Sequence, residues 1–98
     1  MDLEIVDKEI VNTFSTYETS MENRIRYISG MHHFAEYLDN HDIELEEVEE
    51  TVIEKYVNEL RASGYPDIFI NANIEAVKKY FSYPKRKDYT NGEDIFIG

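Results

Sequence analysis

The spacing of hydrophobic residues predicts helices along most of this chain. Apolar side chains recur three or four positions apart in four successive segments, which places them on one side of a helix with 3.6 residues per turn. Polar and charged residues fill the remaining positions, as on the outer face of a helix in a small bundle. The predicted buried stripes are Leu3, Val6, Ile10 and Phe14; Tyr27, Met31, Phe34 and Leu38; Ile53, Tyr56, Val57 and Leu60; and Ile70, Ile74, Val77 and Phe81.

Residues that commonly begin helices precede these stripes. Asp2 is suited to cap the first helix through its carboxylate. Thr19 with Glu22, and Thr51 with Glu54, have the spacing of a capping box, in which each side chain accepts a hydrogen bond from a free backbone amide. We therefore expect the second and third helices to begin at these pairs.

Glycine and proline divide the second half of the chain. Gly64 is suited to a left-handed helix end, Pro66 to the first turn of the last helix, and Pro84 ends that helix at or before Tyr83. The prediction is an all-α protein, a compact bundle of four to five short helices over residues 1–83. Residues 84–98 follow as a tail or linker. Asn91-Gly92 in this segment is typical of a tight turn, so a small hairpin is the alternative.

Composition supports one intracellular globular domain. The chain has 98 residues, of which 42% are hydrophobic, and it contains no cysteine. A core of this size is enough for an independent fold, and the lack of cysteine excludes disulfides and thiol chemistry. No apolar run is long enough for a membrane span, and the start does not resemble a secretory signal. We therefore expect a cytoplasmic protein.

Charge is distributed unevenly along the chain. The formal net charge is −11: residues 1–60 carry 16 acidic and 4 basic residues, whereas residues 61–98 carry 5 acidic and 6 basic residues. Half of the ten basic residues fall in one short stretch, namely Lys78, Lys79, Lys85, Arg86 and Lys87. Two interpretations remain: a surface that contacts phosphates, or solvated lysines that suit the negative end of a helix dipole.

Three patterns occur in a fixed order along the chain. They are Tyr27, Met31, Phe34, Tyr37-Leu38 and Ile43; then "ELEEV" followed by Ile53, Tyr56, Val57, Leu60 and Gly64; then Ile70-Asn71, Ile74, Ala76, Val77, Lys78 and Tyr80-Phe81. In this order the chain, over about residues 3–83, resembles the SAM-like N-terminal core-binding domain of tyrosine recombinases and phage integrases. Each pattern is a helix-packing pattern, so the resemblance rests on their combination.

The resemblance implies a DNA-binding domain that supports site-specific recombination and DNA integration. Such domains form half of a clamp around double-stranded DNA, with their second and fourth helices against the major groove and its phosphates. The chemistry belongs to a separate catalytic domain, so this chain is expected to be non-catalytic and its tyrosines are not read as nucleophiles. The partners expected are DNA and other recombinase protomers on it, with no membrane, no small-molecule substrate, no metal and no cofactor.

The resemblance and the charge pattern together predict a set of DNA contacts. On the second helix, Arg26 lies on the outward side with Ser29 and His33, where family members usually carry several basic residues. The expected attraction to phosphates is correspondingly weaker here. The predicted DNA-binding residues are Arg26, Asn71, Asn73, Lys78, Lys79, Lys85, Arg86 and Lys87.

Other sites are less well supported by the sequence. His32 and His33 are adjacent, so on a helix they point about 100° apart and do not readily face one metal ion. The six acidic residues between Asp42 and Glu50 lack the order and the glycine of a calcium-binding loop. The alternative function is a helical protein–protein interaction module that has lost DNA binding, with this acidic segment as its docking surface. The high content of acidic residues fits either a host with a salt-rich cytoplasm or a protein that has lost DNA binding.

Overall fold

The computed structural model describes residues 1–82 and shows an all-α bundle. It contains four α-helices and one single-turn 3-10 helix, with no β-strand in this part of the chain. None of the helices among residues 1–82 combines the length and the apolar character needed to cross a membrane. The helices are α1 (Leu3–Ser15), α2 (Met21–Asn40), α3 (Glu50–Ala62) and α4 (Asp67–Phe81), and the 3-10 turn spans Leu45–Glu47.

The long helix α2 is the centre of the bundle. Its most extensive contacts are with α4, followed by those with α1, while α3 packs on α4. The predicted stripes supply the core: Ile10, Phe14, Met31, Phe34 and Leu38 are all fully buried. The sequence pattern therefore identified correctly the inner faces of the helices. The members of the stripes that are only partly buried are Leu3, Ile53, Val57, Ile74 and Phe81.

The tightest contact between α2 and α4 occurs at Gly30. A Cβ atom at this position would lie 2.9 Å from the Cβ of Ala76 and 3.3 Å from the Cα of Asn73. Glycine in a helix interior costs about 1 kcal/mol relative to alanine. Here that cost is offset because the missing side chain lets the two helices approach closely enough to share a core.

Aromatic rings fill the core in two groups. Phe14 of α1, Tyr27 of α2 and Tyr80 of α4 meet where these three helices converge, with centroid separations from Phe14 of 5.4 Å and 6.0 Å. On the other side of the core, the ring centroids of Tyr56 in α3 and Phe34 in α2 are 4.9 Å apart. These separations are typical of favourable tilted and edge-to-face pairs. These aromatic contacts thus join α1 and α3 to α2, and α4 to α1.

The ends of the helices only partly match the sequence prediction. Asp2 caps α1 as expected, because its Oδ1 accepts a hydrogen bond from the amide of Glu4 at 3.1 Å. Gly64 adopts the expected left-handed conformation, with φ of 88°. The cap of α2 is Ser20, whose Oγ accepts from the amide of Asn23 at 3.1 Å, so the prediction of Thr19 was wrong by one residue.

The start of α3 also differs from the prediction. The helix begins at Glu50, so Thr51 lies inside the first turn and cannot cap it. The reciprocal capping contact lies earlier, at the 3-10 turn, where the amide of Glu44 donates to Glu47 Oε1 at 2.8 Å. Pro66 precedes the first residue of α4 and occupies the N-cap position itself. Neighbouring polar residues compete for these positions, and the sequence alone does not rank them.

Arg24 ties the end of α1 to the start of α2. Its Nε donates to the carbonyl of Phe14 at 3.0 Å, and its Nη2 donates to the carbonyl of Tyr17 at 2.8 Å. The cation therefore satisfies carbonyl groups at the negative end of α1 and fixes the connecting loop. Although it is basic, Arg24 acts as a structural residue.

We expect Arg24→Ala to lower the free energy of unfolding by about 1.5–3 kcal/mol, because charged hydrogen bonds to backbone carbonyls are lost. Urea unfolding followed by far-ultraviolet circular dichroism measures this change. The matched control is Lys8→Ala, which removes the same charge from an exposed position on α1 and should change stability by less than about 0.5 kcal/mol. Equal stability of the two variants would show that Arg24 is not the structural link.

We expect Gly30→Ala to destabilise the fold by about 1–3 kcal/mol, although alanine favours helices, because its Cβ would overlap Ala76. The double variant Gly30→Ala/Ala76→Gly should recover part of this loss, since it removes the opposing methyl group. Thermal and urea unfolding of the three proteins provide the measurement. A Gly30→Ala variant as stable as the parent would show that this contact is not tight.

Candidate nucleic-acid interface

Four of the predicted DNA contacts lie on one side of the bundle. Asn71, Lys78 and Lys79 of α4 line a shallow open depression of about 490 Å³, together with Ile74, Glu75 and Ser82. Arg26 of α2 joins this surface through Glu75, whose Oε1 lies 3.7 Å from Arg26 Nη2. We call Arg26, Asn71, Glu75, Lys78 and Lys79 the α2–α4 face.

Helix periodicity explains why these side chains share a face. Asn71, Glu75 and Lys78 are separated by four and three positions, so they stack along one side of α4. Lys78 and Lys79 also occupy the last turn, where positive charge suits the helix dipole. The two lysines differ in their surroundings, because Lys78 is exposed whereas Lys79 is partly buried.

Lys79 is held against α2 by the aromatic ring of Tyr27. Its Nζ lies 5.7 Å from the centroid of that ring, within the range of a cation–π contact. The hydroxyl of Tyr17 donates a hydrogen bond to the backbone carbonyl of Lys79. The second contact holds the backbone of Lys79, and the first gives its ammonium group a preferred position at the edge of the depression.

Arg26 is loosely held in place. Its Nη1 donates to Asn23 Oδ1 at 2.8 Å, one turn earlier on α2, and its Nη2 faces Glu75. The side chains of Arg26 and Glu75 are 57% and 47% exposed, so water screens their attraction. Arg26 is therefore accessible to an anion at the surface.

Asn73 does not belong to this surface, and its prediction as a DNA contact was wrong. The residue is only 5% exposed, and its Nδ2 donates to the hydroxyl of Tyr56 at 3.1 Å. Residues two positions apart on a helix face different directions, so Asn71 and Asn73 cannot lie on one face. Burial beside Gly30 makes Asn73 part of the core.

His33 likewise takes part in an inward contact. Its Nδ1 lies 2.7 Å from the hydroxyl of Tyr56, and its ring packs edge-on against Phe69 at a centroid separation of 5.3 Å. Burial raises the pKa of Tyr56. Its hydroxyl also accepts a hydrogen bond from Asn73 and thus contacts two polar partners. The result is a polar network of His33, Tyr56 and Asn73 that joins α2, α3 and α4. No local sequence signal marked these three residues as partners.

The basic cluster that follows α4 lies outside the described residues. Lys85, Arg86 and Lys87 come after residue 82, so their role as DNA contacts stays a prediction from sequence. The same holds for the tail and for the hairpin considered at Asn91-Gly92. The α2–α4 face is thus the part of the predicted surface whose geometry is described.

Comparison with protein-family models, with curated proteins and with solved structures finds no match to this chain. The resemblance to recombinase core-binding domains therefore rests on the sequence patterns alone. The all-α bundle agrees with the fold class that these patterns predict, while the function they imply is a proposal.

His32 forms an ion-pair contact between α1 and α2. Its Nδ1 lies 2.7 Å from Asp7 Oδ1, and its Nε2 lies 3.2 Å from Glu36 Oε2. The hydrogen bond to Asp7 raises the pKa of His32, and the charge of Glu36 adds to this effect. Within residues 1–82, no group of three or more histidine or acidic side chains is arranged to hold a metal ion.

The raised pKa of His32 predicts that stability depends on pH. The folded state binds the proton more tightly than the unfolded state, so the Asp7–His32 contact contributes fully below the ordinary pKa of 6.5. That contribution is lost as the pH rises through the raised value. We expect Asp7→Asn to lower stability at pH 5.5 by less than about 1 kcal/mol, because His32 is 42% exposed, and the difference should shrink by pH 8.

Urea unfolding of the parent and Asp7→Asn between pH 5.5 and 8 measures this difference. Asp42→Asn serves as the control, since it removes an exposed carboxylate two residues after the end of α2. A difference between the parent and Asp7→Asn that stays constant across this pH range would contradict the assigned role of His32.

Proposed function

We propose that this chain is the core-binding domain of a tyrosine recombinase or phage integrase, and that it binds double-stranded DNA through the α2–α4 face. The observation that carries the proposal is the open depression lined by Asn71, Lys78 and Lys79 of α4, beside which Arg26 of α2 lies through its 3.7 Å contact with Glu75. The sequence resemblance implies that the same two helices contact the major groove. The geometry of this face and the sequence resemblance thus both support the proposal.

The side chains of this face suit distinct roles in DNA binding. Arg26, Lys78 and Lys79 neutralise phosphates, which supplies affinity that does not depend on sequence. Asn71 is exposed and both donates and accepts hydrogen bonds, so it is suited to a base edge or a sugar–phosphate group. With three cations on this face and a net charge of −11 for the chain, the expected affinity is modest.

In this proposal the domain positions DNA and does not catalyse strand exchange. Strand cleavage belongs to a separate domain, and other protomers bind the neighbouring part of the DNA site. Lys85, Arg86 and Lys87 would follow the DNA towards that domain. The protein would act on DNA in site-specific recombination and integration in the cytoplasm.

We expect Lys78→Ala/Lys79→Ala to weaken binding to duplexes of any sequence, because both lysines contact phosphates. The slope of the logarithm of the association constant against the logarithm of the salt concentration should become less steep by about 2, or roughly one per lost contact. Fluorescence anisotropy with a labelled duplex, from low to near-physiological salt, measures both quantities.

The control for this experiment is Lys8→Ala/Lys55→Ala, which makes the same change in net charge at exposed positions on α1 and α3. A control that lowers the slope as much as the lysine pair of α4 would argue for general electrostatics. If the slope of Lys78→Ala/Lys79→Ala equals that of the parent, the α2–α4 face does not bind phosphates.

A second candidate function is a helical protein–protein interaction module. The supporting observation is an apolar surface at the start of α4, where Ile68 is 84% exposed and Tyr65 is 42% exposed. The ring of Tyr65 stacks on that of Phe69, with a centroid separation of 4.7 Å. The exposed acidic side chains of residues 42–50 form a further surface for a basic partner. A folded parent that binds no duplex at the lowest salt would favour this function.

A further inference from the structure

Glu75 is an acidic residue at the centre of an otherwise basic or neutral surface. It lines the same depression as Lys78 and Lys79, which follow it by three and four positions on α4. A surface built only to attract phosphates gains nothing from a carboxylate there, because like charges repel. The position of Glu75 therefore calls for a role of its own.

The contacts of Glu75 connect α4 to two neighbouring residues of α2. Its Oε1 faces Arg26 Nη2 at 3.7 Å, and its Oε2 accepts a hydrogen bond from the hydroxyl of Tyr27 at 3.4 Å. Both distances exceed the usual range for strong hydrogen bonds. Since both partners of the ion pair are about half exposed, the contact is weak enough to be exchanged.

A phosphate is well suited to replace this carboxylate. The guanidinium group presents a fork of N–H donors that matches carboxylate and phosphate oxygens alike. While Nη1 of Arg26 keeps its contact with Asn23 Oδ1, an incoming phosphate can take the place of Glu75 at Nη2, so the anchor on α2 is not lost. The exchange leaves the carboxylate of Glu75 close to the DNA backbone, which costs free energy.

We propose that Glu75 is a built-in competitor for phosphate that occupies Arg26 in the free protein and weakens sequence-independent binding to DNA. This inference rests on the proposed function of the α2–α4 face. DNA meets the lysines of α4 first, and it gains Arg26 only when contacts along the groove compensate for displacing Glu75. Glu75 thus determines how favourable the other contacts must be before DNA binds stably.

The test is Glu75→Gln, which keeps the shape of the side chain and an oxygen that accepts from Tyr27, but removes the negative charge. We expect binding to a non-specific duplex to tighten about two- to fivefold at low salt, the equivalent of one exposed charge pair. The salt slope should steepen by up to about 1, because Arg26 becomes free to bind a phosphate. Anisotropy titrations on folded protein, checked by circular dichroism, provide both values.

The matched control is Glu54→Gln, which removes one carboxylate from an exposed position on α3. A cycle with Arg26→Ala then separates the specific effect from the general one. In the Arg26→Ala background, Glu75→Gln should tighten binding no more than Glu54→Gln does. A gain that persists without Arg26, or that Glu54→Gln matches in the parent, would overturn the role of Glu75.

These outcomes also separate this inference from the proposed function. If the parent binds DNA and Lys78→Ala/Lys79→Ala flattens its salt slope, while Glu75→Gln behaves like Glu54→Gln, only the role of Glu75 fails. If neither the parent nor Glu75→Gln binds a duplex at the lowest salt, both fail. Binding by Glu75→Gln alone would also count against the proposed function, because releasing one exposed charge pair changes the affinity only a few-fold.

Discussion

The close approach of α2 and α4 at Gly30 is the constraint on which the rest of this structure depends. Because Gly30 has no side chain, Ala76 and the backbone of Asn73 come within contact of α2. That approach also sets the outer surface. Arg26 lies one turn before Gly30, and Glu75 directly precedes Ala76, so closing the helix pair brings this arginine and this carboxylate together. A larger distance between α2 and α4 at this point would separate the two halves of the α2–α4 face.

The inner consequence of the same contact is a buried polar network. Asn73 lies against Gly30 and donates to the hydroxyl of Tyr56, which also contacts His33. An unpaired polar group in a core of low dielectric is costly, so the buried Asn73 and Tyr56 require one another, and the half-buried His33 adds a second contact to Tyr56. The network therefore specifies one relative placement of α2, α3 and α4, where purely apolar packing would tolerate several.

The hydrophobic pattern allowed the helices and most of the core to be predicted, since burial on a helix follows its period. Phe14 and Phe34 needed no other information. Contacts over long sequence distances were not predictable, because nothing near His33 or Asn73 indicates Tyr56 as a partner. For the surface, periodicity placed Asn71 and Lys78 together, but only the packing of α2 on α4 shows that Arg26 meets Glu75. Tertiary contacts of polar side chains are thus the part that local patterns leave open.

An acidic chain is compatible with a DNA-binding face when distance is considered. Arg26 lies in the second turn of α2, whereas the acidic residues 42–50 follow its last residue, Asn40. Fourteen residues of helix separate them by about 21 Å along the axis. The Debye length is about 8 Å at physiological salt, so the acidic segment is largely screened from a phosphate bound at Arg26. Under those conditions the charges on the α2–α4 face itself decide the interaction, and among them Glu75 opposes the three cations.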